Sequence, residues 1–406
     1  MKLQRGFHLT YCSNIHPGET WEEVRANLVQ YIPALRARLA LSEPLGIGLR
    51  LSAQAAEVLA QPEELERFAQ FLQEAQAYVF TINGFPYGVF HGARVKEEVY
   101  LPDWKDEERL RYTGQLARIL AALLPDEPGL EGSISTVPGA FKTEVSSEDD
   151  ARRMALLMLR QVAQLHRLRM ETGKLLTLAI EPEPCCYIET TAEAIHFFQD
   201  HLCAPEALDA LAKELNISRD AALQSIHDHL GLCYDACHMA IEYEEPVQAL
   251  RDIAAAGIKV CKFQISSALR LTFRPGDGRA RQLLTPFSES TYLHQVVERS
   301  PAGLVRYTDL PEALERADRA PASGPNRPVE WRVHFHVPIF LEEMKQFQTT
   351  QDYLVRLFDQ IKQRSPCAYL EVETYTWDVL PAEYKTMNVA DAIARELNWV
   401  RSQVES

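Results

Sequence analysis

Carboxylates and imidazoles recur in this chain where short apolar runs end. Glu181-Pro182-Glu183 closes the run at 175–181, and Asp235-Ala236-Cys237-His238 closes the run at 231–235. Lys262-Phe263-Gln264 ends another at 258–265, and His334-Phe335-His336 and Glu371-Val372-Glu373 sit in two more. Asn14-Ile15-His16 follows the run nearest the N-terminus, and Asn83 and His91 follow a third. On an extended chain, residues two apart share a face, so His334 goes with His336 and Glu371 with Glu373. Singly, each has an ordinary account: Glu181 as a rim ion pair, Asp235 as the cap of the next turn, one histidine as a satisfied core residue. Together at strand ends inside an apolar cylinder, they are costly to bury without a compensating charge. A divalent cation with oxygen and nitrogen ligands supplies that charge. Mn²⁺, Mg²⁺, Co²⁺ and Zn²⁺ all suit such a set, and the absence of thiolates argues against purely structural zinc.

These groups meet only if the runs are strands of one sheet. Apolar, β-branched or aromatic runs at 7–12, 45–52, 78–83, 132–137, 175–181, 231–235, 258–265, 331–337 and 369–375 alternate with stretches of helical period. Thr20, with Glu22 and Glu23 behind it, marks one helix start, and Pro62 marks another. Long helices are expected at 148–171 and 389–404. Such alternation predicts a parallel sheet, and eight or more units predict an α/β fold of the TIM (β/α)8 type, with its functional face at the C-terminal strand ends. Nine runs are one more than a barrel holds, and pattern alone does not say which is surplus. Gly46-Ile47-Gly48 is a strand fragment, not a GxGxxG fingerprint, so a dinucleotide-binding domain lacks its main signal.

Residues 1–406 therefore read as a single barrel with a long insertion at 266–330 near the C-terminal mouth. Within the insertion, Arg274-Pro275-Gly276-Asp277-Gly278 has turn chemistry, 292–297 and 304–307 suggest a hairpin, and 321–326 suggests a flexible connector. A second excursion, 85–106, is long enough to be a lid or binding loop.

Composition narrows the function classes. The 406 residues are 46% hydrophobic and 24% charged, ample for a large core. With 42 Lys+Arg against 57 Asp+Glu the net charge is −15, the wrong sign for reading a phosphate backbone or an anionic membrane and the right one for attracting a divalent cation. No apolar run reaches 18 residues and the N-terminus has no signal-peptide pattern, so a cytoplasmic protein without a membrane span is expected. Eight cysteines without a CxxC pair are expected to be buried, reduced thiols.

Two resemblances follow from longer motifs. DACHMAIE at 235–242 resembles the Asp-x-x-His-Met-x-Ile-Glu segment of ketose 3-epimerases in the xylose-isomerase-like barrel superfamily. HLTYCSNIHPGETW at 8–21, TINGFPYG at 81–88 and EVETYTW at 371–377 resemble the EboE-type metabolite traffic proteins, barrels of the same superfamily. The first resemblance implies one divalent metal held by Glu181, Asp235, Gln264 or His336, and Glu373. Gln264 has the strand order of the third ligand, and His336 has the better residue type. It further implies that Glu181 and Glu373 act as acid and base on opposite faces of a substrate. His238, His16, Asn14 and His334 would then hydrogen-bond its oxygens. The second implies a setting among proteins of the ebo cluster that make or move a small metabolite.

The expected function is accordingly a metal-dependent isomerase or epimerase. Its substrate would be a sugar, sugar phosphate, cyclitol or other polyol, or a prenylated metabolite, with proton transfer through an enediolate stabilised by the metal. Arg94 and Lys96 are weak candidates for a phosphate, surface solvation being the simpler reading of both. The alternative is a non-catalytic metabolite-binding or carrier protein using the same cavity. A trinuclear phosphodiesterase on this barrel is disfavoured by the acidic charge.

Overall fold

Local signals start and stop the helices where the sequence says they should. Thr20 caps the helix Trp21–Arg38 in a reciprocal capping box with Glu23. Ser147 and Asp150 do the same for Glu148–Thr172, which Gly173 ends in the left-handed conformation at φ 74°. The computed structural model describes every residue except 93, 277, 320–327, 365 and 406.

Fourteen strands are formed among the described residues: β1 (His8–Cys12), β2 (Leu45–Arg50), β3 (Ala77–Asn83), β4 (Gly132–Thr136), β5 (Leu176–Ile180), β6 (Leu230–Asp235), β7 (Lys259–Ile265), β8 (Leu269–Phe273), β9 (Val296–Ser300), β10 (Gly303–Tyr307), β11 (Val329–Val333), β12 (Glu343–Met344), β13 (Phe347–Thr349) and β14 (Tyr369–Val372). Eight of them close a parallel barrel in the order β1-β14-β7-β6-β5-β4-β3-β2. The remaining six form a separate sheet, β10-β9-β11-β8-β13-β12, whose neighbours are all antiparallel.

This second sheet resolves the surplus strand. The run at 331–337 contributes to β11, which pairs with β8 and β9 and not with the barrel. His334 and His336 therefore do not sit at a barrel strand end. They lie just past β11, and the sheet brings them over the barrel mouth. Periodicity could not show this, because an antiparallel strand buried on both faces reads like a barrel strand. A hairpin forms as β9 and β10, its first strand starting four residues later than the run at 292–297 suggests. The sheet continues beyond residue 330 into β12 and β13, two strands too short to carry a readable period. The proposed connector at 321–326 and Asp277 of the expected turn lie outside the described residues.

The barrel interior is also more polar than the apolar cylinder expected. Ser133 Oγ donates to Thr81 Oγ1 at 2.9 Å, and Ser135 Oγ to Asn83 Oδ1 at 2.7 Å. Lys262 Nζ donates to Asn83 Oδ1 at 2.9 Å and also to Glu371, with which it forms a fully buried ion pair. Gly48 makes the room: a Cβ there would stand 1.6 Å from Glu371 Oε1. All eight cysteines are unpaired, six of them buried. No helix among the described residues is long and apolar enough to cross a membrane.

Candidate metal-binding site

Three carboxylates converge above this polar floor. Glu181 follows β5, Asp235 ends β6, and Glu373 follows β14, and one oxygen from each lies within 4.8 Å of the others. Neighbours hold part of each group. Glu373 Oε1 accepts from Asn14 Nδ2 at 2.8 Å. Asp235 Oδ1 accepts from Ser266 Oγ at 2.7 Å and from the His238 amide at 3.0 Å, so the capping role and the cluster role belong to the same side chain. Glu181 Oε2 and Asp235 Oδ2 are buried without any protein partner.

The electrostatics are those of charges packed without enough cations. Burial, then the nearby Glu373 and Asp235, push the Glu181 carboxyl well above the ordinary range. Burial and the charges of Asp235 and Glu371 do the same to Glu373. Asp235 goes the other way in spite of its burial, because His238, His336 and the Ser266 hydroxyl favour its ionised form.

Three imidazoles complete the cluster, and their tautomers follow from their partners. His238 Nδ1 faces the Pro182 carbonyl at 3.0 Å, and His336 Nδ1 faces the Glu373 carbonyl at 2.9 Å. His334 Nδ1 faces Gln295 Oε1 at 2.6 Å. That amide is oriented by its nitrogen, which donates to Tyr100 Oη, the Pro184 carbonyl and Glu183 Oε1 at 2.9, 3.1 and 3.3 Å. All three acceptors require Nδ1–H, so each neutral ring carries a bare Nε2 lone pair. His334 Nε2 stands 3.2 Å from both His238 Nε2 and His336 Nε2. Facing lone pairs repel unless a cation is shared. Nitrogens on one tetrahedral zinc are roughly 3.3 Å apart, the spacing implied by Zn–N bonds of this type. Burial holds His336 down at about 4 and His334 well below its usual value, so neither imidazole supplies the positive charge at neutral pH.

The ligand-capable atoms form overlapping groups. Besides the three carboxylates, Asp235 with His238 and His336, Glu183 with His238 and His334, and Cys237 with His334 and His336 each bring one ligand atom per residue within 4.8 Å, so a thiol stands among the candidate donors, contrary to the expectation of none. The donor set fits a divalent ion: orphaned carboxylate oxygens, bare imidazole nitrogens, and an outer layer of carbonyls that fixes each ring.

Glu183 was visible as a strand-end residue but not assigned. Its Oε1 accepts from Tyr100 Oη at 2.6 Å, and its Oε2 is buried without a partner. The signal available was its two-residue spacing from Glu181. Gln295 comes from an irregular segment and Tyr100 from the short 3-10 turn Lys96–Tyr100, and neither has such a signal.

Two expected residues are placed differently. His16 does not line the cavity: its Nε2 lies 3.2 Å from Tyr11 Oη and its ring stacks on Tyr31 at 3.8 Å, so it packs toward the first helix. Gln264 Oε1 accepts from Cys233 Sγ at 2.6 Å, and Gln264 also lies outside the cavity lining, whereas His336 lines it. The cavity is small, about 50 Å³, with Asn14, Glu181, Glu183, His238, His334, His336 and Glu373 in its wall. Lys96 is buried, not solvated, while Arg94 is exposed.

No protein-family model matches the chain, and no curated protein sequence matches it. Solved structures do resemble it. A xylose isomerase-like TIM barrel protein from Mycobacterium smegmatis in complex with magnesium is 11% identical, with 100% of this chain and 98% of that one covered at a TM-score of 0.50. The IOLI protein with a bound zinc atom is 12% identical over 98% of both chains, TM-score 0.45. A D-tagatose 3-epimerase-like protein is 8% identical over 98% of this chain and 97% of that one, TM-score 0.47. At these identities the likeness is one of fold, a closed eight-stranded parallel barrel.

Proposed function

We propose that this protein is a metal-dependent isomerase or epimerase that moves a proton at a carbon beside a carbonyl in a small polyhydroxylated molecule, of the sugar or cyclitol type. The observation that carries the reading is the convergence of Glu181, Asp235 and Glu373 beside three imidazoles whose Nε2 lone pairs face inward. Glu181, Asp235, Glu373 and His336 would hold the ion, which supplies Lewis acidity toward a carbonyl oxygen. Glu181 and Glu373 reach the cavity from β5 and β14, three strands apart in the barrel order, and so approach a ligand from different directions. Burial and the neighbouring carboxylates raise the proton affinity of both groups when no ion is present, the direction that general acid work requires. Asn14 orients Glu373, and the Nε2 lone pairs of His238 and His334 would accept hydrogen bonds from substrate hydroxyls. The motif resemblance to EboE-type proteins supports a setting in metabolite synthesis or traffic.

The test is isotope exchange. Candidate ketoses and inososes, incubated with the metal-loaded protein in heavy water, should gain deuterium beside the carbonyl. Glu181→Gln or Glu373→Gln should cut that exchange roughly 100-fold or more, the usual worth of a positioned acid or base. His238→Ala should cost less. Binding without exchange, and without an isomerised product by NMR, would replace the enzyme with a carrier.

A further inference from the structure

The cavity wall is not polar throughout. Beside His336, Tyr375 packs with ring centroids 4.7 Å apart, and from there an aromatic cluster continues. Phe90 lies 5.3 Å from Tyr375 and 4.9 Å from Tyr292, and Tyr292 lies 5.2 Å from Tyr375. Phe85 and Leu293 extend the same apolar wall. A sugar ring covers such a surface only with its C–H face, and its hydroxyls lose water there. An apolar ring gains by transfer from water and by edge or face contacts with the aromatic groups.

A phosphate, by contrast, finds no receptor here. Lys96 is the only Lys or Arg among the described residues of the wall. An ammonium has three N–H donors, and those of Lys96 go to the Tyr292 carbonyl at 2.7 Å, Asp309 Oδ2 at 2.7 Å and the Glu289 carbonyl at 3.2 Å. The carboxylates of Glu181, Glu183 and Glu373 line the cavity beside the three imidazoles and would repel an anion.

We infer that the substrate pairs an oxygenated, metal-seeking head with an uncharged, flat apolar ring, and that it carries no phosphate. This rests on the metal-centred reading above, since the head must reach the His336 side of the cavity while the ring lies against Phe90, Tyr292 and Tyr375.

Three hydroxamates with the same chelating head separate the alternatives: acetohydroxamate, benzohydroxamate and phosphonoacetohydroxamate. Their binding to metal-loaded and metal-free protein can be measured by calorimetry. Benzohydroxamate should bind the loaded protein at least 10-fold tighter than acetohydroxamate, and the phosphonate should bring no gain. Phe90→Ala should shrink the benzohydroxamate advantage and leave acetohydroxamate affinity unchanged. Equal affinity for the methyl and phenyl compounds, or tightest binding of the phosphonate, overturns the inference while leaving the metal reading in place. Failure of all three to bind, or binding that is the same without metal, overturns both.

Discussion

Lys262 and Glu371 face each other across the floor of the barrel, both side chains fully buried, two residues along β14 below Glu373. Asn83 binds both, donating to Glu371 Oε1 at 3.1 Å and accepting from Lys262. Burial pulls the Lys262 ammonium down, but Glu371, Cys233 and Glu181 together hold it above its ordinary value, so it stays charged. Its charge in turn opposes the upward push on the Glu181 and Glu373 carboxyls. Lys262→Met should therefore lower stability by about 3–5 kcal/mol, the cost of leaving a buried partner unpaired. Lys262→Met with Glu371→Met should recover part of it. Urea titration of the two variants checks this, and equal losses would show that the pair is not coupled.

Metal should stabilise the fold through the carboxylate cluster. An ion at 100 times its Kd adds about 2.7 kcal/mol by mass action, enough to raise the melting midpoint by several degrees. Glu181→Gln keeps the volume and removes the charge, so the shift should largely vanish in that variant. A metal-induced shift as large as that of the unmodified protein would remove Glu181 from the ligand set.

The choice between the two candidate third ligands is open to direct comparison. His336→Ala should weaken metal binding by roughly 10-fold to 100-fold or more, the scale known for groups that set ligand basicity and position. Gln264→Ala should leave affinity nearly unchanged, because the oxygen of that amide is already bonded to Cys233. Competition with a fluorescent chelator measures both. The reverse ranking would return the third position to Gln264.

Glu396, in the last helix (Val389–Glu405), gives the fold a pH dependence. Its Oε1 accepts from Thr374 Oγ1 at 2.7 Å and from the Ile339 amide at 3.2 Å, and burial lifts its carboxyl from 4.5 to about 7. The folded chain thus holds a proton that the unfolded chain has released, so this contribution is complete below pH 4.5 and is lost as pH rises to about 7. The loss is roughly 3 kcal/mol by linkage. Glu396→Gln should flatten the profile and be the more stable protein at pH 8. Parallel melting profiles for the two proteins between pH 5 and pH 8 would contradict this.

The sequence carried the barrel because its strands have length, apolar content and helices between them. It carried Glu181, Asp235 and Glu373 because a parallel barrel gathers the ends of its strands. His334 and His336 were legible as a pair on one face but not in their location, since a strand of the antiparallel sheet presents the same pattern as a barrel strand. His16 misled for a similar reason. It follows a barrel strand, yet the short turn Ser13–Ile15 swings it onto Tyr31. What no pattern could reveal was the layer behind the ligands, the carbonyls of Pro182 and Glu373 and the amide of Gln295, because backbone and loop groups have no sequence signature.

Equilibrium dialysis against Zn²⁺ and Mn²⁺, followed by elemental analysis, tests the metal centre most directly. The account predicts at least one tightly held divalent ion per chain in the unmodified protein and its loss in a variant carrying Glu181→Gln with Asp235→Asn. A folded, unmodified protein that retains no divalent ion, or a double variant that retains as much as the original, would contradict it.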